Sequence, residues 1–169
     1  MTAVRRIDSL QRKLRKMEGV AANKTLNRAA YAGALVVERA CKINIREAQG
    51  AGGKTGLIDT AFMINSVYTI GPEKDGSQKA EAAARERADR EFLDPPDPKQ
   101  HQAVVTIGAE YAYYLHEGTS SLEGQSFLAS AAQTNEKQVG DAVGRVIEQS
   151  VKAAVGAISA IVNLADGES

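Results

Sequence analysis

Three short stretches carry residues whose types and spacing could do chemistry. Gly53-Lys54-Thr55 has the look of the end of a phosphate-binding loop. Such a loop needs a glycine five positions before the one preceding the lysine, so that successive backbone amides can wrap the phosphates. That position is Ala48, and the preceding "VERACKINIREAQ" is charged and helical in character rather than a buried strand. Gly50, Gly52 and Gly53 therefore read as a flexible hinge. Thr55 reads as the cap of a new helix, with Asp59 near its positive end. His116-Glu117 opens a zinc-protease motif whose second histidine would have to stand at Ser120, and the only other histidine, His101, adjoins a proline-rich limb. Cys41 is the single cysteine and falls in a helical pattern, where a thiol packs as a small apolar group. No serine lies in a nucleophile-elbow context. The expectation is a chain with no catalytic, cofactor-binding or metal-binding residues.

Other residues point to association. In "YAYYLHEGTSS", Tyr111, Tyr113 and Tyr114 are three of the five tyrosines of a chain without tryptophan. Tyrosine supplies apolar area with a polar tip at low entropic cost, which favours it at interfaces. Packing of alternate rings into the chain's own core is the competing reading. Glu117, Gly118, Thr119 and, further on, Phe127 complete the candidate contact residues, with Gly118 permitting a turn that a Cβ would resist. Arg5, Arg6, Arg12, Lys13, Arg15 and Lys16 form a basic face opposed only by Asp8. That gives the first 17 residues a net charge of +5 and leaves −5 for the remainder of a formally neutral chain. Such a face could bind nucleic acid in a salt-dependent, sequence-independent way. A solvated face, or one docking on an acidic neighbour, is the favoured reading.

The elements that position these residues follow from periodicity. Val4, Ile7, Leu10, Leu14 and Met17 form the apolar stripe of an amphipathic helix over residues 1–18, which Gly19 is expected to end. A second helix is expected from a cap at Asn23 to about Ile43, packing through Leu26, Ala30, Ala34, Val37 and Cys41. "LIDTAFMINS" reads as a short helix, and "VYTIG" (67–71) and "AVVTIGA" (103–109) as strands pairing in one antiparallel sheet. Between the strands, residues 73–101 form an extended, alanine-rich charged arm stiffened by Pro95, Pro96 and Pro98. "EYAYYLHEGTSS" reads as a short helix or turn closed by Gly118. The 127–162 region is helical, with Val139, Val143, Val146, Ser150, Ala154 and Ile158 along one side and a break expected at its glycines. At 169 residues this is one α+β domain: a small antiparallel sheet packed by a long helix of the N-terminal half and a C-terminal helix. No run approaches the ~18 apolar residues of a membrane span, and the N-terminus lacks the apolar core of a signal peptide. The chain reads as soluble and made in a cytoplasm.

The order of these pieces resembles the neck or tail-completion family of long-tailed bacteriophages, the "gp-ten-like" minor tail components. The likeness is carried by Thr55-Gly56-Leu57 with Thr60 ahead of a strand, by Tyr111-Ala112-Tyr113-Tyr114-Leu115-His116-Glu117-Gly118-Thr119, and by Ser126-Phe127-Leu128-Ala129-Ser130-Ala131. It spans roughly residues 20 to 150. Thr60 is one residue closer than the family's usual spacing, and Ser126 replaces a familiar proline.

The resemblance implies a structural virion protein without catalysis, forming a ring of identical subunits, on the order of six or twelve, between the DNA-filled head and the tail. Its partners would be itself, a head-closure or connector protein on one side, and a tail-terminator or tail-tube protein on the other. Non-specific contact with DNA in the lumen is allowed, and no membrane is involved. The glycines near residue 50 would hinge the long helix to the sheet module. A tail-terminator ring is the nearest alternative, and a small DNA-binding protein using the basic helix a more distant one. Removing residues 76 to 98 is expected to leave a folded subunit that fails to join heads to tails.

Overall fold

A computed structural model describes the backbone of residues 2–50, 60–72, 95–118, 120 and 123–166, and the side chains of 19, 21–48, 62–72, 95–118, 120 and 123–156. In chain order the elements are α1 (Thr2–Gly50), α2 (Thr60–Asn65), β1 (Val67–Ile70), β2 (Val104–Ile107), α3 (Ala112–Glu117), α4 (Phe127–Thr134) and α5 (Glu136–Asp166). The fold is α+β and mostly helical. Gly52, Gly53, Lys54, Thr55, Asp59, Thr119 and residues 73–94 of the arm lie outside the described residues. So do the side chains of Arg5, Arg6, Arg12, Lys13, Arg15 and Lys16, although their backbone belongs to α1.

The helix α1 corrects the expectation of two helices. It runs unbroken for 49 residues, about 70 Å at ~1.5 Å per residue. Gly19 sits inside it in open space, with nothing within 4 Å of where a Cβ would stand. A lone interior glycine costs only about 1 kcal/mol against alanine. No proline is near, and good helix formers flank it, so the helix continues. Asn23 is consequently not a cap. Its side-chain oxygen lies 2.9 Å from Nε2 of His101, while the backbone N–H of His101 donates to Oδ1 of Asn27 at 3.0 Å. These contacts tie the return limb of the arm to α1 across more than 70 residues of chain. His101 accepts a left-handed backbone there, with φ of 62°, a conformation for which histidine is enriched among non-glycine residues.

The expected packing face of α1 holds at Cys41 and Val37, with Ala30 and Ala34 half-buried, and fails at Leu26. Ala29, Cys41 and Ile45 are the buried apolar positions, with Val37, Ala40 and Ala48 beside them, whereas Leu26 is 41% exposed. Cys41 and Ile45 meet Met63 of α2, Val67 of β1, Ala112 and Leu115 of α3, and Phe127 and Ala131 of α4 in one core. On another side of α1, Gly33 faces Val139 and Val143 of α5, so the absent side chain lets the two helices approach.

Among the described residues the sheet is two antiparallel strands, pairing Val67 with Ile107 and Ile70 with Val104. Ser66 makes the switch from α2 to β1. Its N–H donates to the Phe62 carbonyl at 2.9 Å and its hydroxyl to the Met63 carbonyl at 2.8 Å, satisfying groups that a helix end leaves open. Its carbonyl accepts from the Gly108 N–H at 2.8 Å, which carries the pairing past the strands.

The C-terminal region breaks at Asn135 rather than at its glycines. The Asn135 side-chain amide donates to the Ala131 carbonyl at 3.0 Å, and the Asn135 carbonyl accepts from the Val139 N–H at 2.9 Å, closing α4 and opening α5. Gly140, Gly144 and Gly156 stay helical in open space. Val139, Val143, Val146 and Ser150 are half-buried along α5, and Ala154 is exposed.

Candidate interaction surface

The tyrosine segment divides as its helical spacing dictates. In α3, Ala112 and Leu115 point into the core while Tyr113 and Tyr114, which follow Ala112 round the helix, are 62% and 59% exposed. Their rings meet edge to face with centroids 5.8 Å apart, a favoured geometry for aromatic pairs. Tyr111 takes the other role weighed from the sequence and packs against Phe62 at 6.0 Å. The core-packing reading thus holds for Tyr111, while Tyr113 and Tyr114 are left at the surface. Phe62, Glu110, Tyr111 and Tyr114 line a small cleft of about 240 Å³. Phe127, expected as a contact residue, is instead buried in the core, because it opens α4 on the side facing α1. The Asn44 side-chain amide holds it there by donating to the Phe127 carbonyl at 3.2 Å.

Two glycines hold this ledge in place. Gly118 ends α3 with φ of 83°, donating its N–H to the Tyr114 carbonyl at 2.9 Å. That backbone is the left-handed region that glycine enters without a steric cost. Gly124 then passes directly under the end of α3. A Cβ there would come within 2.6 Å of the His116 carbonyl oxygen and 2.9 Å of the Glu117 carbonyl carbon. The close passage lets the Gln125 N–H donate to the Leu115 carbonyl at 2.7 Å. Gly118 was legible from the sequence; Gly124 was not, since its constraint is a contact with another segment.

Glu110, Glu117 and Glu123 surround the ledge and are exposed. The His116 Nε2 stands 3.9 Å from Oε1 of Glu117, both half-exposed. Among the described residues no group of three histidines, cysteines or carboxylates could hold a metal ion, and none of their helices is long and apolar enough to cross a membrane. His101 is engaged with Asn23 and Asn27, and the structure does not bring it to His116 as part of any one site.

A polar cluster that sequence reading missed joins α1 to the sheet. The Thr69 hydroxyl, fully buried in β1, donates to Oε2 of Glu38 at 2.7 Å, and Lys42 pairs with the other carboxylate oxygen. Its visible signal is the Glu38/Lys42 spacing of four on a helix, but nothing in the sequence announces Thr69 as the partner. Tyr31 flanks this region, its ring against Gly71. Burial, and then the Glu38 charge, push its phenol above the ordinary value. Burial likewise raises the Cys41 thiol from 9.0 to about 11. A thiol so raised and buried is not a nucleophile near neutral pH.

On the other side of α1, a groove of about 740 Å³ runs between α1 and α5. Leu35 and Ile43, 42% and 44% exposed, form its apolar floor, and Arg39, Arg46 and Arg145 stand along it. No known protein family, curated protein or solved structure matches this chain.

Proposed function

We propose that this chain is a structural subunit of the neck of a long-tailed bacteriophage, assembling with copies of itself into a ring that joins the DNA-filled head to the tail. The observation that carries the reading is the pair of exposed rings on α3. Tyr113 and Tyr114 stand mostly in solvent within one of the three segments that carry the resemblance. Gly118 and Gly124 fix the end of their helix, and Leu115 anchors it in the core. Two adjacent exposed aromatic side chains on a pre-organised helix suit an interface, since little entropy is lost when they are covered. A ring subunit also requires two different surfaces that match each other around the axis, and the groove between α1 and α5 supplies a second one. Work done by such a protein is shape-matching, with no bond made or broken.

The test is made in the phage that encodes the chain. Disrupting the gene should yield filled heads and finished tails that do not join, and the protein should be present in purified virions. Joined, infectious particles in its absence would refute the proposal. Tyr113→Ser with Tyr114→Ser should leave the fold unchanged, because both side chains are mostly in water and outside the core, yet abolish joining.

A further inference from the structure

We propose that the Tyr113/Tyr114 ledge of one copy seats in the groove between α1 and α5 of the next. The contact deepens the ring reading and rests on it for the partner, a second copy of this chain.

The first argument is charge. From Gln100 to Glu136 the chain has no lysine or arginine, so the ledge carries Glu110, Glu117 and Glu123 with no opposing Lys or Arg from its own segment. The groove carries the opposite sign. Four cations line it against two carboxylates, and one of the cations, Lys42, is already paired with Glu38. Arg39 and Arg46 remain to face incoming carboxylates, with Arg145, whose Nε–H donates to the Asp141 carbonyl at 3.2 Å, beside them. Arginine is suited to this, since its planar fork can engage a carboxylate through two N–H groups. The apolar parts also correspond: Leu35 and Ile43 offer exposed aliphatic area to rings that stand 62% and 59% in solvent.

The second argument is direction. Leu35, Arg39 and Ile43 recur at intervals of four and share one face of α1. Ile43 is two residues from both Cys41 and Ile45, so it lies roughly 200° round the helix from each. Cys41 and Ile45 belong to the core that contains Ala112 and Leu115 of α3. The groove and the ledge therefore face opposite sides of α1. A chain with complementary patches on opposite sides uses one patch on each of two neighbours, the head-to-tail arrangement that forms a ring when the rotation between copies closes.

Purified full-length protein tests the contact by sedimentation and by disulfide trapping. Arg39→Glu with Arg46→Glu should weaken self-association at least about tenfold, as should Glu110→Lys with Glu117→Lys. Combining all four changes in one chain exchanges the two signs, and association should return to within about threefold of the original. Mixing an Ile43→Cys chain with a Tyr114→Cys chain should give a disulfide-linked dimer across the two variants, while neither alone should. Loss of association in the single-patch variants without recovery in the four-fold variant would overturn the contact. So would the absence of the mixed disulfide at every concentration. These outcomes concern purified protein and are independent of whether virions need the gene, so the contact can fail while the neck role stands, or the reverse.

Discussion

Replacing Gly33 by alanine sets two opposed effects of similar size against each other at the crossing of α1 and α5. Alanine is favoured over glycine in a helix interior by about 1 kcal/mol, because it loses less backbone freedom on folding. The added Cβ would stand 3.0 Å from Cγ2 of Val143 and 3.2 Å from Cγ1 of Val139, inside the ~3.5–4.0 Å at which carbon atoms attract. Both opposing atoms are branch methyls. A helical valine strongly prefers one χ1 well, so they cannot swing aside cheaply. The helices must part by a few tenths of an ångström, and overpacking of this kind costs about 1–3 kcal/mol. The net expectation is a loss between zero and about 2 kcal/mol. Gly140→Ala is the control: it lies in α5 with nothing within 4 Å, and should gain about 1 kcal/mol, raising Tm by roughly 2–4 °C. Urea and thermal denaturation of the two variants then isolate the crossing. In a double-mutant cycle, Val143→Ala should relieve the Gly33→Ala penalty, with a coupling of about 1 kcal/mol or more. If Gly33→Ala stabilises as much as Gly140→Ala and the cycle shows no coupling, the close approach of α1 and α5 is wrong.

Two further outcomes are expected. Gly124→Ala should cost about 1–3 kcal/mol, since its Cβ would meet backbone atoms of His116 and Glu117 that cannot yield. Hydrogen exchange at the Gln125 amide should accelerate with it, and unchanged exchange would count against the packed turn. Stability should also fall at alkaline pH. The Cys41 thiol is raised in the folded state from 9.0 to about 11 and the Tyr31 phenol is raised as well. Their contribution is therefore complete below about pH 9 and is lost as pH rises through the folded values. Denaturant midpoints at pH 7, 9 and 10.5 measure it, and Cys41→Ala with Tyr31→Phe should flatten the decline; an identical decline in that variant would refute the assignment.

Local pattern alone was enough for several elements. The β-branched runs at 67–70 and 104–107 form strands that pair as expected, "LIDTAFMINS" contains α2, and Gly118 closes a helix at the tyrosine segment. Each of these is decided within a few residues of chain, by side-chain shape or by a backbone that only glycine enters freely. The errors also share a cause. Gly19 and the glycines of α5 are expected to interrupt their helices because glycine weakens a helix, but a cost near ~1 kcal/mol does not end a helix that good helix formers continue on both sides. The actual break at Asn135 arises from a side-chain amide capping the turn before it.

What the sequence by itself determined is the two strands, the short helices beside them, the absence of a phosphate-loop or zinc-protease spacing, and the acidic and basic segments along the chain. Only the tertiary structure decided that Ala29 and Ile45 join the core face of α1 while Leu26 is exposed, that Phe127 is buried while Tyr113 and Tyr114 are exposed, and that Glu38 meets Thr69 across 31 residues. The same holds for Gly33 and Gly124, whose missing side chains matter only because of atoms seven or more residues away in the chain. Periodicity records how a segment alternates between polar and apolar, whereas which partner covers the apolar side depends on contacts between segments distant along the chain.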